Sequence, residues 1–188
     1  MKNLIALGLL VLCSCNTPAN HTWTPTIGIQ TTVFDSYTFD LSGIGYSGDV
    51  DYSTVDIQLG ATEVSEGEDR LIKHQFMGVV FGSGDLEGSG GVGLDEISGG
   101  GRYYFDKGGA VIPFASIYTT ASAIDVSGIG SQLGIRIGGG VEYPISRNIS
   151  MIAGADYLIS IVDATDYYGY AVGSIGGLAA RFGIIVSL

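Results

Sequence analysis

The strongest pattern along the chain is a period of two. Over residues 133–145, Leu133, Ile135, Ile137, Gly139, Val141, Tyr143 and Ile145 take one face, while Gly134, Arg136, Gly138, Gly140, Glu142 and Pro144 take the other. Successive side chains on an extended backbone point to opposite sides, so this alternation predicts a strand with one apolar and one polar face. Residues 149–161 repeat it, with Met151, Ala153, Ala155, Tyr157 and Ile159 opposed by Ser150, Gly154, Asp156 and Ser160; Ile152 and Leu158 break the pattern. In residues 176–188, Leu178, Ala180, Phe182, Ile184, Val186 and Leu188 share a face, and Val55, Ile57, Leu59 and Ala61 alternate against Asp56, Gln58, Gly60 and Thr62. Residues 97–105 alternate more loosely, and 26–41, 71–81 and 113–124 are strand-like in composition with ambiguous faces. This makes eight strands of about 9–14 residues, the length a tilted strand needs to cross a bilayer.

The connections alternate as well. Residues 65–70, 106–112 and 146–148 are short turns, whereas 42–52, 82–96, 125–132 and 163–173 are mostly longer, Gly-rich and acidic. Short turns on one side and long loops on the other predict an all-β, eight-stranded antiparallel up-and-down transmembrane barrel with both chain ends in the periplasm.

Composition sharpens this picture. Charged residues make up 14% of the 188-residue chain, against about a quarter in ordinary globular domains. Glycine numbers 31 and the mean hydropathy is +0.36. No run of 18 apolar residues exists, which excludes a spanning helix. A closed barrel is the other structure that satisfies every backbone polar group in lipid. A soluble periplasmic or surface lipoprotein, with a β-sandwich or lipocalin-like fold, is the competing reading. The net charge of −11 argues against nucleic acid as a partner, because phosphate binding needs clustered Lys and Arg. Attraction to anionic headgroups is equally unsupported, short of bridging by divalent cations.

The N-terminus reads as a leader. Lys2 precedes an apolar stretch over residues 4–13, too short to span and suited to a secretory signal peptide. The stretch ends Leu12-Cys13-Ser14-Cys15, which resembles the bacterial lipobox; that likeness makes Cys15 the lipidated residue and, with Asn16 rather than Asp following, implies sorting to the outer membrane. Ordinary cleavage after Cys15 or Ala19 is the alternative. The division expected is a signal peptide over 1–14, a lipidated N-terminus and linker over 15–25, and the barrel over 26–188. Both cysteines fall in the leader region, so the barrel has no disulfide and no thiolate metal site.

Extending the alternation turns six charged residues inward: Arg102, Arg136 and Arg181 against Asp56, Glu142 and Asp156. Isolated charges there are costly, so pairing is expected. An eight-stranded barrel is just wide enough to be filled by its own side chains, which favours a plugged lumen over a conducting one. The inward glycines Gly134, Gly138, Gly140, Gly154, Gly177 and Gly183 either leave room for long side chains or relieve crowding at high curvature.

With these segments in view, the sequence resembles the small outer-membrane β-barrel family of the OmpX and OmpA-transmembrane-domain type. The likeness rests on Gly-Gly-Gly-Arg-Tyr-Tyr-Phe at 99–105, Gly-Gly-Gly-Val-Glu-Tyr-Pro-Ile-Ser-Arg-Asn-Ile-Ser at 138–150, and the last strand. There Arg181, Gly183, Val186 and Leu188 fill the positions of the family's C-terminal assembly signal, although Leu188 stands where Phe or Trp is usual. The resemblance covers residues 95–188 well and the first half by pattern. It implies outer-membrane lipids and the outer-membrane assembly machinery as partners and is almost silent on activity; a non-enzymatic structural or surface-interacting role with no cofactor is the expectation by exclusion.

Other chemistry is thin. Some barrels of this size are lipid-modifying enzymes using His with Ser and an acid; His74 lies in Lys-His-Gln-Phe with no nucleophile motif, and His21 has no visible partner. Residues 90–97 match one copy of a calcium-binding nonapeptide repeat, a motif that works only when stacked, so a flexible outer loop is expected there. The acidic pairs Asp49/Asp51, Asp85/Glu87 and Asp163/Asp166 could bind Ca²⁺ or simply be solvated. Tyr103, Tyr104 and Phe105 predict an aromatic girdle at one rim, and Tyr167, Tyr168 and Tyr170 a girdle or an adhesive loop at the other.

Overall fold

The structure is a computed structural model that describes residues 22–41, 46–64, 71–86, 90–105, 109–125, 131–162, 164–165 and 171–188. The strands are β1 (Thr22–Leu41), β2 (Tyr46–Val64), β3 (Leu71–Leu86), β4 (Gly90–Phe105), β5 (Ile112–Asp125), β6 (Ser131–Pro144), β7 (Ile149–Val162), β8 (Ala164–Thr165) and β9 (Ala171–Ser187). Each long strand pairs antiparallel with the next, and β9 returns to pair with β1 from Thr26↔Ser187 to Asp40↔Ser174. The wall is therefore a closed barrel of eight long strands, and β8 is a two-residue addition to the outer part of β9.

The face assignment follows the alternation. Ile29, Ile57, Leu59, Ile97, Ile137, Tyr157, Ile159 and Phe182 are exposed on the outside, while Gln58, Asp56, Glu96, Arg102, Gln132, Arg136, Asp156 and Arg181 are buried inside. A lipocalin-like barrel would carry the opposite partition, apolar within and polar without. A membrane-facing wall explains it, since lipid solvates the apolar face and the lumen gathers the polar one. Ile152 and Leu158, which break the alternation of β7, are each 2% exposed and face inward. Ile152 joins Tyr104, Phe114 and Ile185 in an apolar cluster inside the barrel, with Ile112 against it.

Three expectations are corrected. The strands run 14 to 20 residues, longer than the alternation suggested. Residues 46–52, 82–86 and 90–96, expected in loops, belong to β2, β3 and β4. Their outward positions include exposed Asp49, Ser53, Ser83 and Asp95, so the backbone ladder continues beyond the apolar belt where hydropathy no longer marks it. The single nonapeptide copy is accordingly strand, paired from Leu86↔Gly90 to Val79↔Ile97. Residues 22–25, read as linker, open β1 against residues 61–64. Pro25 is tolerated because its carbonyl, which accepts from Leu188 N at 2.9 Å, faces the end of β9, where a missing N–H breaks little.

The inward glycines act mainly through curvature. A Cβ on Gly138 would run into the carbonyl oxygen of Ala155, and one on Gly183 into that of Ile29. Those obstacles are neighbouring-strand backbone rather than long side chains. Gly177 adds a φ of +153°, a conformation that L side chains rarely adopt, where β9 pairs with Tyr37 of β1.

Candidate functional site

Among the described residues polar chemistry is concentrated in the lumen; period two puts most participants there, and Tyr37 turns inward after the register shift that follows Thr31 in β1. The centre is Arg136 on β6, 1% exposed. Its Nε donates to Glu96 Oε1 at 3.1 Å and its Nη2 to Glu96 Oε2 at 2.8 Å, a bidentate fork that matches guanidinium to carboxylate. Its Nη1 donates to Asp156 Oδ1 at 2.9 Å and to the Tyr37 hydroxyl at 2.5 Å. Ser122 Oγ donates to Glu96 Oε2 at 3.3 Å, and Tyr118 to Asp156 Oδ2 at 2.9 Å. Arg181 Nε lies 3.2 Å from Asp156 Oδ2, so Asp156 bridges Arg136 and Arg181, and Arg181 Nη1 lies 3.5 Å from Asp56 Oδ2, which extends the network.

A second cluster sits around Arg102. Its Nη2 donates to Gln58 Oε1 at 2.6 Å, which also accepts from Gln30 Nε2 at 3.0 Å; Gln58 Nε2 donates onward to Asp56 Oδ2 at 2.5 Å. The guanidinium lies over the Phe76 ring, 4.6 Å from its centroid, and Nη1 donates to His74 Nδ1 at 3.1 Å. Because an arginine can only donate, His74 Nδ1 must accept, so Nε2 carries the proton and donates to Thr26 Oγ1 at 2.7 Å. A histidine serving as general base needs the reverse: a free lone pair on the nitrogen facing the hydroxyl, and a carboxylate behind the ring.

Of the six charged residues expected in the lumen, the structure brings Arg136, Arg181, Asp56 and Asp156 into one ion-paired set. Arg102 is inside, but neutral Gln58 and His74 hold it, and no carboxylate among the described residues forms an ion pair with it. Glu142 stands apart from that set, half-buried near Tyr104. The carboxylate it was expected to supply comes instead from Glu96. Glu96 is legible in principle: counting by twos from Arg102 passes Gly100 and Ser98 and reaches it, but hydropathy alone puts residue 96 at the end of a loop. Tyr104 is a further correction, since it is 4% exposed inside the barrel while Tyr103 and Phe105 face outward at 43% and 47%.

The void bordered by Gln30, Arg102, Tyr118, Asp156 and Arg181 measures about 20 Å³, room for about one water molecule. The residues of the C-terminal signal divide by face: Arg181 and Gly183 point into the lumen, Val186 is half-buried and Leu188 is exposed. Cys15, His21, Glu87, Asp163, Asp166, Tyr167, Tyr168 and Tyr170 lie outside the described residues.

No protein-family model matches the chain, and no curated protein matches it in sequence. Among solved structures, it is similar to Neisserial surface protein A, with a TM-score of 0.59 and 16% identity over 90% of this chain and 99% of that one. A de novo designed transmembrane β-barrel (TM-score 0.40, 12% identity, 88% and 95% covered) also matches. So does the transport unit of the autotransporter AIDA-I from Escherichia coli (0.36, 10%, 99% and 96%). The first of these likenesses shows the fold, an outer-membrane-type barrel.

Proposed function

We propose that this chain is a non-enzymatic, outer-membrane barrel with a plugged lumen, related in type to OmpX and the OmpA transmembrane domain, with a structural or surface-interacting role in the envelope. The observation that carries the reading is the Arg136–Glu96 fork, whose side chains are 1% and 0% exposed at the centre of the bore. Around that fork the three buried arginines stand against buried Asp56, Glu96 and Asp156, so the middle of the bore is occupied by paired charges. The apolar cluster of Tyr104, Phe114, Ile152 and Ile185 adds a dry segment that a hydrated ion would cross only by losing its water. The tautomer imposed on His74 by Arg102 supports a non-enzymatic role, since it leaves the ring a donor toward Thr26.

The same reading includes a lipid on Cys15. In that modification the Cys15 sulfur displaces the phosphate headgroup from the diacylglycerol of a glycerophospholipid: a C–S bond forms, a C–O bond breaks, and the thiol proton leaves with the headgroup. Asn16 favours delivery to the outer membrane, where lipids and the assembly machinery that reads Arg181, Gly183, Val186 and Leu188 are the partners. The test is reconstitution into liposomes loaded with a small dye. The proposal expects no release above protein-free liposomes from a protein that shows heat-modifiable mobility in detergent. Release from correctly folded protein would overturn the plugged reading.

A further inference from the structure

Among the described residues, the Arg181 guanidinium is the least satisfied polar group in the bore. It is 5% exposed, yet its Nε and Nη2 have no hydrogen-bond partner among those residues, and Nη1 reaches Asp56 Oδ2 only at 3.5 Å. The approach of Nε to Asp156 Oδ2 at 3.2 Å is a charge contact without hydrogen-bond geometry. An arginine keeps its proton and can only donate, so a buried one with spare N–H groups calls for an acceptor. Arg181 borders the void of about 20 Å³, and Arg102 borders it too. Arg102 donates to Gln58 and His74, which carry no negative charge. Among the described residues the carboxylate on this void is Asp156, whose Oδ1 already accepts from Arg136 at 2.9 Å and whose Oδ2 accepts from Tyr118 at 2.9 Å. Two guanidinium groups therefore face one small space against a single carboxylate that a third arginine shares.

We propose that this void is a binding site for one monatomic anion of chloride size. Volume sets the first limit. The space has room for about one water molecule, and chloride is only slightly wider, whereas sulfate, phosphate and carboxylates bring several heavy atoms each. Charge sets the second. A chloride accepts the N–H groups that Arg181 leaves over, with Arg102 and the Ser116 hydroxyl as further donors on the same wall. A water molecule in that place would satisfy Arg181 but bring two protons of its own, toward a wall completed by Phe114, Ile152 and a carboxylate already engaged. Asp56 Oδ1, a buried charged oxygen without a partner among the described residues, is not on this void. The low dielectric of the interior strengthens an anion's attraction to both guanidinium groups, which is what offsets its lost hydration. Arg102, Asp156 and Arg181 are all buried, so the anion is taken up as the barrel closes around it, and folding is the equilibrium that reads it.

The full-length mature protein is unfolded and refolded in urea in an uncharged detergent, with sodium chloride replacing sodium gluconate at constant ionic strength so that screening stays the same. One bound anion predicts that the folding equilibrium constant rises with chloride and, above the dissociation constant, grows about tenfold for each tenfold increase. Bromide should act as chloride does, and sulfate as gluconate does. Arg102→Gln removes one of the two cations, and Ser116→Val fills the space; each should lose the chloride dependence while keeping heat-modifiable mobility. An equilibrium constant that is the same in chloride and gluconate overturns the anion and leaves water as the occupant. A response to sulfate as large as that to chloride, or a chloride response unchanged in Arg102→Gln or Ser116→Val, overturns the placement in this void. Should one variant not fold, the other and the wild-type ion series decide.

Discussion

At the scale of single residues, Arg136 is where the structure makes its strongest energetic statement. Removing it leaves Glu96 and Asp156 buried with a lost cation between them, and breaking a buried pair of this kind costs about 3–5 kcal/mol. Arg136→Ala should therefore lower the urea midpoint of the folded barrel in detergent by a matching amount. Tyr103→Ala, outward on the neighbouring sheet region, should change it far less; an equal effect of the two would contradict the network. Gly138 gives a second test, because Gly138→Val drives a branched side chain into the Ala155 carbonyl and the Asp156 backbone. It should prevent barrel closure, seen as loss of heat-modifiable mobility, whereas Gly99→Ala, whose Cβ meets nothing closer than 4.0 Å, should fold normally. Much of this was legible in the sequence. Period two alone turned Arg102, Arg136, Arg181, Asp56 and Asp156 inward, because the apolar neighbours on each strand fixed the phase. Which carboxylate meets which arginine depends on the stagger between strands, and no single strand carries that information. Hence Glu96 and not Glu142 holds Arg136, and Arg102 rests on glutamine, histidine and phenylalanine.

At the scale of elements, the strands are longer than their hydropathy. Alternation marks only the part of a strand in contact with lipid; beyond it Asp49, Ser53, Ser83 and Asp95 face water and the pattern dissolves, although backbone pairing continues. Pairing itself was not readable there, since a hydrogen-bonded ladder demands no particular side chain. The closing strand is the element on which the rest depends. β9 pairs with both β1 and β7, and its last residues add Ser187 N to Asn148 O at 2.8 Å and Leu188 N to Pro25 O at 2.9 Å. Deleting residues 186–188 removes the Ile27↔Val186 and Ile149↔Val186 pairs together with those bonds, and opens two strand edges where the seam should close. The truncated chain should accumulate as aggregate or degradation products, detected by cell fractionation and immunoblot. Recovery of heat-modifiable truncated protein in the membrane fraction would show that the terminal strand is dispensable.

At the scale of the whole molecule, one circumference of eight strands sets what the lumen can be. A bore of this width can be filled by side chains, and among the described residues it holds a polar network joined through Asp56, an apolar cluster and a void of about 20 Å³. The partition of apolar residues outward and charges inward, visible already in β2, β6 and β9, decided the class of fold. The closure of that lumen is the central claim, and planar-bilayer recording of the purified, folded wild-type protein tests it most directly. Closure predicts a flat current at ordinary salt, over insertions confirmed independently by protease protection. Stable, reproducible single-channel steps would contradict it and make this barrel a narrow pore.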